Sequence, residues 1–218
     1  MAIEAASRRR AIDNVASALF RDRGYAATSV RDIARALDIR GASLYAHVTS
    51  KEDVLWSIVD RAAAAFEAAA DAAAEAAANP ASVGEADTTA DAAVGELGTI
   101  VAPARELAAL VRAHVAVIAS DPQLAGVFVR EWRHLTGERR IAVLARRDAY
   151  EARFRAIVEA GVASGDFAPT DPALAASYLL SALNGLAAWY RPGGRLTATA
   201  IADQYADYAV RSLTEDHR

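Results

Sequence analysis

The chain has 218 residues, 54% of them hydrophobic, which is enough for a sizeable buried core in one or two domains. Zero cysteines exclude disulfides, thiolate catalysis and cysteine-ligated metal sites, and no long uncharged apolar run marks a membrane span or a signal peptide. Net charge is −4, yet residues Met1 to Lys51 hold nine Lys/Arg against five Asp/Glu, so a basic end of +4 precedes an acidic remainder of −8 and only the first part suits a polyanion.

Apolar residues recur at spacings of three and four, alanine is abundant and no alternating pattern lasts, which predicts an all-α fold of about nine helices. From about Ser7, Ile12, Val15, Ala16 and Leu19 share one face until Gly24 stops the helix. Thr28 or Ser29 caps a second helix over Val30 to Leu37, and "LDIRG" turns the chain into a third, roughly Gly41 to His47. Ser50 caps a fourth, with Glu52 and Asp53 in its first turn. Thirteen of the eighteen residues from Arg61 to Ala78 are alanine, with Glu67, Asp71 and Glu75 as a solvated stripe. This predicts a long exposed connecting helix, ended by Pro80, before a loop at "NPASVGEADTT". One or two helices with Pro103 near a join come next, then one opening at Asp121-Pro122. A long basic helix closed by Gly165, one opening at Asp171-Pro172, and a last one in "TATAIADQYADYAVRSL" complete the chain, with no internal repeat.

The third helix is far below the roughly 12–15 residues at which an isolated helix becomes even marginal, so its neighbours must hold it. Ile33, Leu37, Ile39, Leu44 and Val48 can do so, with small Ala34 and Ala42 permitting close approach. The faces left over carry Arg40, Ser43, Tyr45 and His47, donors on a small rigid platform that fits a DNA major groove. Thr28, Ser29 and Lys51 can bracket that platform with phosphate contacts. Taken alone, His47 reads more simply as a cap or a solvated surface residue.

The segment "TSVRDIARALDIRGASLYAHVTSKEDVL" resembles the DNA-binding signature of TetR-family transcriptional regulators, the match running from about Arg8 to Leu55. The shared elements are Thr28, Ile33-Ala34, Ile39, Leu44-Tyr45, His47 and Ser50-Lys51-Glu52 leading to Leu55. The chain departs at Asp38 and Ala42, where the family often has glycine, and at Arg40, where a small capping hydroxyl is common. The resemblance implies base or groove contacts from Arg40, Gly41, Ala42, Ser43 and Tyr45, and phosphate contacts from Thr28, Tyr45, His47 and Lys51. It also implies a helix-turn-helix DNA-binding domain over residues 1–50 and a larger effector-binding and dimerisation domain over 51–218. A homodimer formed through the last two helices, Pro172 to Tyr190 and Thr197 to Leu213, would read a near-palindromic double-stranded operator with half-sites roughly 34–36 Å apart. "ALAASYLLSALNGLAAWY" is apolar nearly all round, so Ala176, Leu179, Leu180, Leu183 and Leu186 could divide between core and partner; the plainer alternative is one buried core helix.

"FVREWRHLTGERR", "ARRDAYEARFR" and "WYRPGGRLTATAIADQYADYAVRSL" are similar to TetR-type repressors of fatty-acid and steroid catabolism that respond to acyl-CoA thioesters. Such a ligand needs arginines for phosphates, an aromatic for adenine and an apolar tunnel. Arg139, Arg146 and Arg153 lie seven apart with Tyr150 beside them, Arg140 and Arg147 repeat the spacing, and Phe128 and Trp132 can line the apolar end. The competing reading pairs these arginines with Glu138, Asp148, Glu151 and Glu159 on a wet surface and places Trp132 in the core. A drug-like or aromatic hydrophobe would then be the effector. His114 and His134 lack metal spacing, so neither metal nor cofactor is expected. With no nucleophile elbow, HExxH or phosphate-binding glycine loop, the expectation is a cytoplasmic repressor and not an enzyme. An architectural helical protein is the rival from another class.

Overall fold

The computed structural model describes residues 2–78, 102–168 and 171–214, and every regular element among them is helical. In chain order these are α1 (Ala2–Arg23), α2 (Val30–Ala36), α3 (Gly41–Tyr45), α4 (Lys51–Ala78), α5 (Ala102–Ser120) and α6 (Pro122–Glu131). A 3-10 turn (Trp132–His134), α7 (Gly137–Ser164), α8 (Pro172–Trp189) and α9 (Ala198–Thr214) follow. The all-α class and, among the described residues, the count of nine α-helices agree with the sequence reading. Pro80 and the loop expected at "NPASVGEADTT" lie outside the described residues. Pro103 sits in the first turn of α5, where its missing N–H leaves no helical bond unmade.

Side chains and glycines set the helix ends. The Asp121 carboxylate accepts from Leu124 N at 2.9 Å, Asp171 accepts from Leu174 N at 3.0 Å, and the Thr197 hydroxyl accepts from Ala200 N at 3.1 Å, each filling an orphan donor of a first turn. At the other ends, Gly24 (φ +83°) donates to Phe20 O, and Gly165 (φ +82°) lets Asp166 N reach Gly161 O at 2.9 Å. The end of α2 uses the same double bond with a different residue. Asp38 N meets Arg35 O and Ile39 N meets Ala34 O, while Asp38 takes φ +53°, the left-handed conformation glycine usually supplies.

Two compact units emerge, one from Met1–Ala65, Ile118–Asp148 and Ala187–Arg191, the other from Phe66–Val117, Ala149–Leu186 and Pro192–Arg218. In the first, Ile12, Phe20, Ile33, Leu44 and Leu55 are fully buried; in the second, Leu107, Phe154 and Leu186 are. The alanine-rich part of α4 is more than the exposed connector its composition suggested. Ala62, Ala63, Phe66, Ala70 and Ala77 are buried while Asp71 and Glu75 face out, because alanine lets a neighbouring helix approach closely on one side. Among the described residues no helix is long and apolar enough to cross a membrane.

Candidate functional site

α3 has five residues, two fewer than expected, because the amides of His47 and Val48 both turn back onto Leu44 O and end it. Leu44 is fully buried and Val48 nearly so, which fixes the short helix to α2 through Ile33 and Ala34. The opposite face is open. Arg40, Ala42, Ser43 and Tyr45 are exposed, Tyr45 by 58%, and Gly41 and His47 are half-buried. A Cβ built on Gly41 would meet nothing within 4 Å, so its side of α3 is free for another molecule to approach.

One guanidinium ties this platform to its scaffold. Arg9 donates to His47 O at 3.1 Å, to Asp53 Oδ2 at 3.0 Å, to Asp53 O at 2.8 Å and to Asp13 Oδ1 at 3.2 Å. Asp53 also accepts from Thr49 N and from Arg139 at 3.3 Å. Burial pushes its carboxyl up, but the bonds from Arg9 and Thr49 and the charges of Arg9 and Arg139 outweigh that and hold it below the usual range. Asp13 differs: burial dominates and raises its pKa despite bonds from Ser57 and Arg9.

The three residues expected to bracket the platform prove to have local work. Thr28 is buried, and its hydroxyl donates to Gly24 O at 2.9 Å, so the expected phosphate contact from this side chain is corrected: it closes the end of α1. Ser29 caps α2 in a reciprocal box, accepting from Asp32 N while Asp32 accepts from the Ser29 hydroxyl and from Ser29 N, bonds that in that order lower the Asp32 pKa. The Lys51 ammonium donates to Tyr25 O and Thr28 O, each at 2.9 Å, and lies 4.1 Å from the Tyr25 ring centroid. One of its three donors remains for a phosphate. Two residues were missed. Arg31 and Arg35, one turn apart on α2, join Arg40 and Gly41 in lining a groove of about 410 Å³. Their spacing on the polar side of α2 was the available signal.

On α7 the arginine stripe is largely spent on acids of α4. Arg139 pairs with Asp53 at 3.3 Å, Arg146 with Asp60 at 2.7 Å, and Arg153 with Asp71 at 2.6 Å. Of the local partners expected from the sequence, Glu159 forms a pair, with Arg155. A second set of arginines gathers on an aromatic: Arg133, Arg140 and Arg147 lie 5.1, 5.8 and 5.0 Å from the Trp132 ring, and Arg147 lies 5.5 Å from Phe128. Trp132 and Phe128 are buried, and Trp132 Nε1 has no hydrogen-bond partner among the described residues. Tyr150 is corrected from adenine platform to core. Its hydroxyl lies 3.1 Å from His114 Nδ1, its ring meets Phe66 and Phe154, and burial raises its pKa.

On α8, Ala176, Leu179, Leu183 and Leu186 all turn into the core and Leu180 is half-buried, so the outward face is built from other residues. Leu174 and Tyr178 on α8 and Tyr208 on α9 are exposed by 60–66%. Tyr178, Ala182, Tyr205 and Tyr208 line a shallow groove of about 200 Å³.

Residues 12–58 match the family described as bacterial regulatory proteins, tetR family, and residues 101–213 match the tetracyclin repressor-like C-terminal domain. The chain is 30% identical to the HTH-type transcriptional repressor KstR2 of Rhodococcus jostii (strain RHA1) over 96% of its own length and 93% of that protein. Among solved structures it is similar to PfmR, a TetR family transcriptional regulator from Thermus thermophilus, with a TM-score of 0.71 and 32% identity over 92% of this chain and 97% of that one. It is likewise similar to AibR, solved in complex with isovaleryl coenzyme A and operator DNA, with a TM-score of 0.69 and 27% identity over 95% and 98% of the two chains. The chain belongs to the TetR family of bacterial transcriptional regulators, and is thus a DNA-binding regulator and not an enzyme.

Proposed function

We propose that the chain is a cytoplasmic, homodimeric repressor whose α3 lies in the major groove of a near-palindromic operator and which a small hydrophobic effector releases. The observation that carries this is the division of α3 into a buried anchor, Leu44 with Val48, and an open face of Arg40, Gly41, Ala42, Ser43 and Tyr45. His47, Lys51 and the amide end of α2 at Ser29 serve the phosphates, joined by Arg31 and Arg35. Residues 1–50 act as the reading domain and 51–218 as the effector and dimer domain. The exposed Leu174, Tyr178 and Tyr208 support pairing through α8 and α9, since aromatics clustered on one face are costly to leave in water.

The effector is an acyl-CoA thioester, with Phe128, Trp132 and Arg147 as its polar and aromatic contacts, aided by Arg133 and Arg140. AibR, bound to isovaleryl coenzyme A, supports the class. A second reading has its own observation. Arg139 and Arg146 are paired with Asp53 and Asp60, which favours an uncharged hydrophobe bound without their help. A tenfold loss of operator affinity needs only about 1.4 kcal/mol of differential binding between two conformations. A DNA-shift assay on the protein's own upstream region, with CoA thioesters and free hydrophobic acids added in turn, tests both readings. Release by thioesters alone is expected; no specific shift at any salt concentration overturns the proposal.

A further inference from the structure

His114, on α5, is a buried polar side chain with no part in reading DNA. It is 2% exposed, and its Nδ1 lies 3.1 Å from the Tyr150 hydroxyl, while Nε2 is buried with no hydrogen-bond partner among the described residues. Aromatic rings crowd it: Phe66 at 4.7 Å, Tyr150 at 5.8 Å and Phe154 at 6.4 Å between centroids. A buried hydroxyl must find an acceptor, and among the described residues Nδ1 is the partner that Tyr150 has. The ring proton then belongs on Nε2, leaving an N–H donor aimed into an aromatic surround. Native interiors rarely leave such a group unpaired, so this donor calls for a partner.

We propose that His114 Nε2–H is the polar recognition point for the effector, taking the uncharged carbonyl oxygen of an otherwise apolar acyl group between Phe66, Tyr150 and Phe154. This rests on the reading that the chain responds to a small molecule, and it narrows that molecule's chemistry. A thioester, ester or ketone oxygen accepts one hydrogen bond and brings no charge into the apolar surround. A carboxylate would be stripped of water there with only neutral donors to meet it. Burial keeps His114 neutral, with its pKa lowered to about 3, and raises that of Tyr150, so neither supplies the charge a free acid needs. Arg153, whose charge acts on Tyr150, is committed to Asp71 at 2.6 Å. The site therefore selects an esterified acyl group over the corresponding acid.

The test is calorimetric titration of the full chain, without DNA, with octanoyl-CoA, palmitoyl-CoA and the two free acids, on the wild type, His114→Phe and His114→Gln. Phenylalanine keeps the ring and removes the donor; glutamine restores an N–H. The thioesters are expected to bind the wild type at least tenfold more tightly than His114→Phe, with His114→Gln between them and the free acids weak on all three. Equal thioester binding by wild type and His114→Phe overturns the proposal, as does free-acid binding that matches the thioesters or an absence of thioester binding to the wild type. Thermal melting gives a second arm. In a Tyr150→Phe background, where no hydroxyl needs Nδ1, His114→Phe should melt no lower than its parent, because an unpaired donor is removed; a clearly lower midpoint would mean that the donor is already satisfied. Because no DNA is present, failure of operator binding is a separate outcome and bears only on the regulatory reading.

Discussion

The polar faces of α3 and α7 look alike as strings of residues and differ in what their side chains are free to do. On α3, Arg40, Ser43 and Tyr45 stay in solvent, because the helix is too short to bury more than Leu44. On α7, a 28-residue helix beside the acids of α4, Arg139, Arg146 and Arg153 are each drawn into an ion pair. A functional surface is thus a matter of what the scaffold leaves unpaired, and a short helix held by one or two apolar anchors leaves nearly everything unpaired.

The largest expected effect lies at the end of α7. A Cβ on Gly161 would stand 2.1 Å from the Phe167 ring, which must then move from its buried site. Gly161→Ala should destabilise the fold by about 2–3 kcal/mol, the upper part of the range for overpacking, and a denaturant titration reads it. Gly41→Ala is the contrasting substitution. Nothing blocks that methyl group in the free protein, so the thermal midpoint should hold. Operator affinity should drop, by about 1–3 kcal/mol if the added group displaces one base contact. Equal damage to stability at both glycines would erase the distinction drawn between the two helices.

Much of this contrast was legible in the sequence, for reasons tied to particular residues. Asp121-Pro122, Asp171-Pro172, Gly24 and Gly165 mark helix ends through local chemistry, so their positions could be read directly. The short helix α3 was legible because so short an element can persist only if Leu44 and Val48 are buried. Thr28 was misjudged, since whether a hydroxyl serves water or a carbonyl depends on the course of the chain at Gly24. Alanine misled in α4, because it gives no contrast between a buried and an exposed face. The Arg139–Asp53, Arg146–Asp60 and Arg153–Asp71 pairs and the His114–Tyr150 bond join residues on separate helices, beyond the reach of any periodicity.

Smaller effects sharpen the comparison within α7. Arg146→Ala should cost at most about 1 kcal/mol, as loss of a partly exposed ion pair, and leave effector response intact. Arg147→Ala should leave stability similar but weaken release by thioesters, because it removes a cation from Trp132 and Phe128. Indistinguishable release curves for the two variants would remove the Trp132 cluster from the effector site. The pH response of His114 has a definite sign. Its folded-state pKa lies near about 3, against 6.5 in an open chain, so between those values the unfolded state takes up a proton that the folded state refuses. Stability held above pH 6.5 should be lost progressively as pH falls toward 3. Subtracting the curve for His114→Phe cancels what the carboxylates, Asp13 included, contribute to both proteins; a flat difference over that window would contradict neutral burial.

The most direct measurement is the operator affinity of Tyr45→Ala beside that of the wild type, with the mass of each protein in solution recorded. Tyr45 is exposed, and among the described residues no hydrogen bond or ring contact ties its side chain to the rest of the fold, so the account predicts a fall of about tenfold or more in specific binding with the assembly and the melting midpoint unchanged. Undiminished binding to the same operator would mean that the open face of α3 is not the surface that meets DNA.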